Sequence, residues 1–173
     1  MSGASETLGP ILPERIESLA REVLQAAHDR DLAIATAESC TGGLLAALLT
    51  DVEGLSHVFE RGFVTYSDAA KCDLLGLSRE VIDDCGAVSE PVARAMAMGA
   101  RRRSRADIVV SVTGFAGPGA AGDEEGLVHF AVIGPDGHCA TCEDHFGKRG
   151  RDGVRIAALE RALTMMKNAT LNG

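Results

Sequence analysis

Apolar residues recur at helical spacing at Ile16, Leu19, Ala20, Val23, Leu24 and Ala27, with Pro13 suited to the first turn, which predicts a helix from Pro13 to about Asp29. Residues 32–37 form a short apolar run of strand character, and Leu44 to Leu49 is rich in helix formers, predicting a helix from near Gly42 to about Asp51. A loop from Asp51 to Ser56 then leads to a short turn around His57-Val58-Phe59. Phe63-Val64-Thr65-Tyr66 is β-branched and aromatic, hence a second strand. Ser67 or Asp68 can cap a helix ending at Gly76, Ser78 a shorter one ending at Gly86, and Ser89 a longer one running into Arg101–Arg105. Residues 107–112 read as a strand buried on both faces, and residues 127–133 and 139–146 as a hairpin turning at Pro135-Asp136-Gly137. A helix over residues 151–167 closes the pattern, with Val154, Ala158, Leu159 and Leu163 on its apolar face. The alternation is that of an α/β protein with a late antiparallel hairpin.

The chemistry concentrates where the 32–37 strand meets the following helix. Glu38, Ser39 and Thr41 occupy that turn, and open α/β sheets place their ligands outside the carboxyl ends of strands. Gly42 and Gly43 leave backbone N–H groups unobstructed at a helix N-terminus, where a phosphate or a developing oxyanion is stabilised. Ser39 is a candidate nucleophile there; equally, Ser39 or Thr41 suits a plain N-cap. A second small-residue loop, Thr113-Gly114-Phe115-Ala116-Gly117-Pro118-Gly119, follows the strand at 107–112 directly.

Lys71 shares a helix face with Leu74 and Leu75, so an inward-facing ammonium would be desolvated and available as a neutral base. The ordinary alternative is a surface lysine whose stem covers apolar neighbours. Tyr66, the only tyrosine, either handles a proton or a substrate or is a half-buried strand residue. Serine activated by lysine is a known variant of nucleophilic catalysis. Of the histidines, His57 lies nearest and reads as a surface turn residue.

Composition narrows the function. The 173 residues fit one domain, taken as 13–170 behind a poorly ordered tail at 1–12. A net charge of −8 argues against coating nucleic acid, so the arginines at 101–105 read as complementing a helix dipole. No apolar run approaches a membrane span and the N-terminus lacks a secretory segment, so the expected location is the cytoplasm, with no membrane partner. Five scattered cysteines suit reduced thiols. Cys139-Ala-Thr-Cys142 has the spacing of a zinc or redox pair, but no second half-site completes a tetrahedral set.

These motifs together carry a resemblance. Thr36-Ala37-Glu38-Ser39-Cys40-Thr41-Gly42-Gly43, Phe59 through Ser67, Ala70-Lys71, Gly86 through Ala93, Thr113 through Pro118 and Gly126-Leu127-Val128 resemble the CinA C-terminal domain family over about residues 14–168. The resemblance implies a three-layer α/β/α domain with a mixed central sheet. It also implies hydrolysis of the carboxamide of nicotinamide mononucleotide to nicotinate mononucleotide and ammonia, in pyridine-nucleotide salvage. Ser39 matches the family nucleophile, and Lys71 and Tyr66 its proton-handling partners. In the mechanism expected, N–H groups at Thr41, Gly42 and Gly43 hold the oxyanion. Thr113, Gly114, Ala116 and Gly117 help hold the ribose phosphate, and Arg151 aligns with a family arginine. No cofactor or metal is implied, and a homo-oligomer is expected.

The chain departs from the family pattern twice. Gly122-Asp123-Glu124-Glu125-Gly126 is shorter than the family insert and lacks its lysine and proline, and Phe146 through Arg151 lacks the aspartate of a Gly-Asp-Arg motif. Both flank the expected substrate mouth. A non-catalytic nucleotide-binding or interaction module, or an amidase for a different carboxamide, are the alternative readings. Larger family members carry a preceding nucleotide-processing domain, for which the 38 residues before Ser39 leave no room.

Overall fold

A computed structural model of the chain describes residues 12–172. In order, it contains α1 (Glu14–His28), β1 (Ile34–Glu38), α2 (Leu44–Thr50), a 3-10 turn (Ser56–Val58), β2 (Phe59–Val64) and α3 (Asp68–Leu75). There follow α4 (Arg79–Cys85), α5 (Glu90–Arg102), β3 (Ile108–Gly114), β4 (Leu127–Ile133), β5 (Cys139–His145) and α6 (Gly150–Asn172). The strands form one mixed sheet ordered β2-β1-β3-β4-β5, with β1 parallel to both β2 and β3, and β4 antiparallel to both β3 and β5. Helices cover both faces, giving the three α/β/α layers expected.

Strand alternation divides the core in two. Ile34, Ile108, Val110, Val112, Val128 and Phe130 face α1, α2 and α6. Ala35, Ala37, Val109, Ala131 and Ile133 face α3, α4 and α5. The serine caps fall where the sequence places them: Ser67, Ser78 and Ser89 accept from the N–H groups of Ala70, Val81 and Val92. Each satisfies a donor the first helical turn would otherwise leave open.

Several boundaries move for identifiable reasons. β1 starts at Ile34 because the Ala33 N–H is taken by the Asp107 carboxylate at 2.9 Å. β2 runs from Phe59 to Val64, earlier than the expected 63–66, and leaves Tyr66 two residues beyond its end. It includes Glu60 and Arg61, which an edge strand tolerates and which discourage pairing with other chains. α6 extends to Asn172, its last turn anchored by buried Thr170, whose hydroxyl donates to Met166 and whose carbonyl accepts from Arg30. The tail expected at 1–12 lies outside the described residues apart from Leu12, which is buried in the α1–α2–α6 core.

Arg103 donates to the Leu75 carbonyl at the end of α3, and Arg61 to the Arg103 carbonyl, so this part of the arginine cluster closes helix ends. Cys139 and Cys142 are three residues apart on a strand and so point to opposite faces, one packed against each core. That disposition keeps the two thiols from ligating one ion together. No helix among the described residues is long and apolar enough to cross a membrane.

Candidate active site

Ser39 follows β1 directly, and its N–H continues the ladder to the Val112 carbonyl at 2.9 Å. The chain then turns sharply into α2. Gly42 and Gly43 adopt positive φ (63° and 93°), which glycine reaches without a steric cost. Beneath this turn lies Glu38, fully buried. Its carboxylate accepts from Gly43 N–H (3.1 Å), Leu45 N–H (3.1 Å), Ala46 N–H (2.8 Å) and Thr36 Oγ1 (3.3 Å). A negative charge built into the preceding strand thus caps α2, where the helix dipole favours it.

That arrangement corrects the expected anion site. The Gly43 N–H belongs to Glu38 and the Gly42 N–H to the Ser39 carbonyl at 3.0 Å, so neither glycine offers its amide to a ligand. Among the described residues, the Thr41 N–H has no acceptor and buried Thr41 Oγ1 has no partner, whereas the Cys40 N–H lies against its own thiol.

Lys71 comes from α3, on the opposite helical layer, and only 2% of it is exposed. Its Nζ lies 3.3 Å from Ser39 Oγ and 3.7 Å from Asp68 Oδ1, one turn earlier on the same helix. Burial pushes the lysine below its ordinary pKa, with the Asp68 carboxylate opposing the shift. Of the two leucines expected to share its face, Leu75 is buried with it while Leu74 is exposed. A buried lysine amine in hydrogen-bond reach of a serine hydroxyl is a geometry compatible with a Ser–Lys nucleophile.

Cys40, next to Ser39, is poorly suited to act as a nucleophile. Burial pushes its thiol up to about 12, so it stays protonated near neutral pH. Its carbonyl accepts from Arg155 Nε of α6 at 2.9 Å.

A cleft of about 220 Å³ opens in front of Ser39, between Tyr66, Ala87, Val88, Thr113–Ala116 and Arg151. Tyr66 stands on its rim, 63% exposed, and among the described residues its hydroxyl has no hydrogen-bond partner. Lys71 reaches Ser39 without it. The Thr113 hydroxyl donates to the Ala87 carbonyl at 2.7 Å, tying two segments of the cleft wall together. Gly114 serves the sheet, since a Cβ there would come within 2.8 Å of the Leu127 carbonyl on β4. Ala116 is buried at the cleft, and the Arg151 guanidinium lies over Gly117. His57 is not among the residues lining this cleft and pairs with His28, ring nitrogen to ring nitrogen, at 3.1 Å.

The sequence reading named Glu38 only as a turn residue and Asp68 only as a possible helix cap, and gave Arg155 no role. The first two left signals. Glu38 shares with Ile34 and Thr36 one face of β1, a strand buried on both faces, and Asp68 lies three residues before Lys71. Arg155 left none, because its contact joins residues 115 positions apart.

The model of the CinA C-terminal domain matches residues 16–170. The chain is 45% identical over 147 residues to the nicotinamide-nucleotide amidohydrolase PncC of Escherichia coli (strain K12), covering 84% of this chain and 88% of that protein. It is 46% identical over 154 residues to a CinA-like protein of Synechococcus sp. (strain RCC307), covering 87% of this chain but only 37% of that longer protein. Among solved structures, the competence/damage inducible protein CihA from Agrobacterium tumefaciens superposes with a TM-score of 0.88 at 44% identity, over 91% of this chain and 97% of that one.

Proposed function

The chain belongs to the CinA C-terminal domain family, and from that premise we propose that it is an amidohydrolase converting nicotinamide mononucleotide to nicotinate mononucleotide and ammonia. The observation that carries the reading is the contact between buried Lys71 and Ser39, 3.3 Å from Nζ to Oγ. The name of the E. coli relative supplies the substrate.

In the mechanism proposed, neutral Lys71 accepts the Ser39 proton as Oγ attacks the carboxamide carbon. The carbonyl π electrons move to oxygen, and the resulting oxyanion is received by the Thr41 N–H. Collapse of the tetrahedral intermediate breaks the C–N bond, and the Lys71 ammonium returns its proton to the leaving nitrogen, releasing ammonia. Lys71, neutral again, takes a proton from water as that water attacks the acyl ester, and returns it to Ser39 as the acid leaves. Tyr66, on the rim, positions substrate, and Arg151 with the 113–119 loop holds the ribose phosphate. We place the enzyme in the cytoplasm, in pyridine-nucleotide salvage, as a homo-oligomer.

The test is ammonia release from nicotinamide mononucleotide by wild type and Ser39→Ala. Release by wild type alone is the expected result; substantial turnover by a folded Ser39→Ala protein would overturn the mechanism. The shortened 122–126 segment beside the cleft-lining loop favours one second reading, an amidase for another carboxamide. It predicts that wild type releases ammonia from other pyridine carboxamides while sparing the mononucleotide.

A further inference from the structure

Arg155 is outside the catalytic pair, yet its side chain reaches across from α6 to the nucleophile turn. Its Nε donates to the Cys40 carbonyl at 2.9 Å. Its Nη2 lies 3.4 Å from where a Cβ on Gly42 would stand, so the guanidinium covers the turn from residue 40 to 42.

The Cys40 carbonyl and the Thr41 N–H belong to one planar trans peptide unit. Fixing the carbonyl therefore fixes the N–H, which points the opposite way. A charged donor on the carbonyl also draws electron density from the amide and strengthens its N–H as a donor. The rest of the turn is held differently. Gly42 N–H bonds to Ser39 O, and Gly43, Leu45 and Ala46 N–H groups bond to Glu38. The peptide joining residues 40 and 41 is the part Glu38 does not hold, and Arg155 is what holds it.

We infer that Arg155 is a positioning residue that orients and polarises the Thr41 N–H for the oxyanion by gripping the Cys40 carbonyl. The inference rests on the amidase reading above. It differs from a substrate-binding role, which would act on KM, because an oxyanion donor acts on the transition state and so on kcat.

The test is steady-state hydrolysis of nicotinamide mononucleotide by Arg155→Gln and Arg155→Lys beside wild type, with the ¹H–¹⁵N amide spectrum of each protein. In Arg155→Gln, kcat should fall about 10- to 100-fold while KM stays within about threefold. Arg155→Lys should lose less. The Cys40 and Thr41 amide resonances should move, while those of Leu45 and Ala46, tied to Glu38, should not. Unchanged kcat, or a raised KM at constant kcat, overturns the inference, the latter by making Arg155 a substrate contact. Loss of the fold in both variants also overturns it, since the contact would then serve stability. If wild type is silent on the mononucleotide and the Cys40 and Thr41 amides still move, the amidase reading falls and the positioning stands. Unmoved amides overturn the positioning whatever wild type does.

Discussion

Asp68 and Lys71 sit one helical turn apart on α3, with the carboxylate 3.7 Å from Nζ, so the aspartate works against the burial that lowers the lysine's pKa. The activity of such a site rises with pH as Lys71 loses its proton, and the rise comes below the ordinary lysine pKa of about 10.4. Asp68→Asn removes the opposing charge, so the ascending limb of the kcat/KM–pH profile should move to lower pH. A shift to higher pH would assign Asp68 a different role.

Lys71 also sets stability against function. Its folded pKa is depressed, so between that value and the unfolded one the unfolded chain binds more protons, and stability should rise with pH across that window. Lys71→Met removes the ammonium from a site that disfavours it. The variant should be inactive yet melt at the same temperature as wild type or higher, measured by calorimetry at pH 7.

Glu38 should matter to the fold before it matters to chemistry. Glu38→Ala leaves the amides of Gly43, Leu45 and Ala46 without their acceptor at the start of α2. The expected loss is about 2–4 kcal/mol in urea unfolding. Glu38→Gln, which keeps one carbonyl acceptor, should lose less.

Cys40 and Cys85 should part company on alkylation. Cys40 is buried with a thiol pushed up to about 12, whereas Cys85 is exposed. Iodoacetamide at pH 8 should modify Cys85 in the folded protein and reach Cys40 only in denaturant, by peptide mass mapping. Rapid modification of native Cys40 would mean the nucleophile turn opens readily.

Much of the architecture is legible in the sequence because local signals and global fold agree. Ser67, Ser78 and Ser89 announce three helix starts, and Gly76 ends α3 with φ of 70°. β2 is harder to read, because an edge strand carries Glu60 and Arg61 where a central strand would carry apolar residues. In the site, Ser39 and Lys71 stand out as residue types placed for chemistry. The mistaken expectation for Gly42 and Gly43 has one physical source: free amides at a helix start are available to a ligand only if nothing in the chain takes them first, and Glu38 does. The Thr113 hydroxyl likewise has its donor taken within the chain, by the Ala87 carbonyl. Such competition depends on partners brought together by folding.

Ser39 leads into α2 on one helical layer, while Lys71 is carried by α3 on the other, and the sheet lies between the two cores they belong to. The pair therefore exists only when both layers have docked. On the mechanism proposed, turnover is a readout of complete assembly: an intermediate with either layer loosened keeps its helices but parts Lys71 from Ser39, and should be catalytically silent.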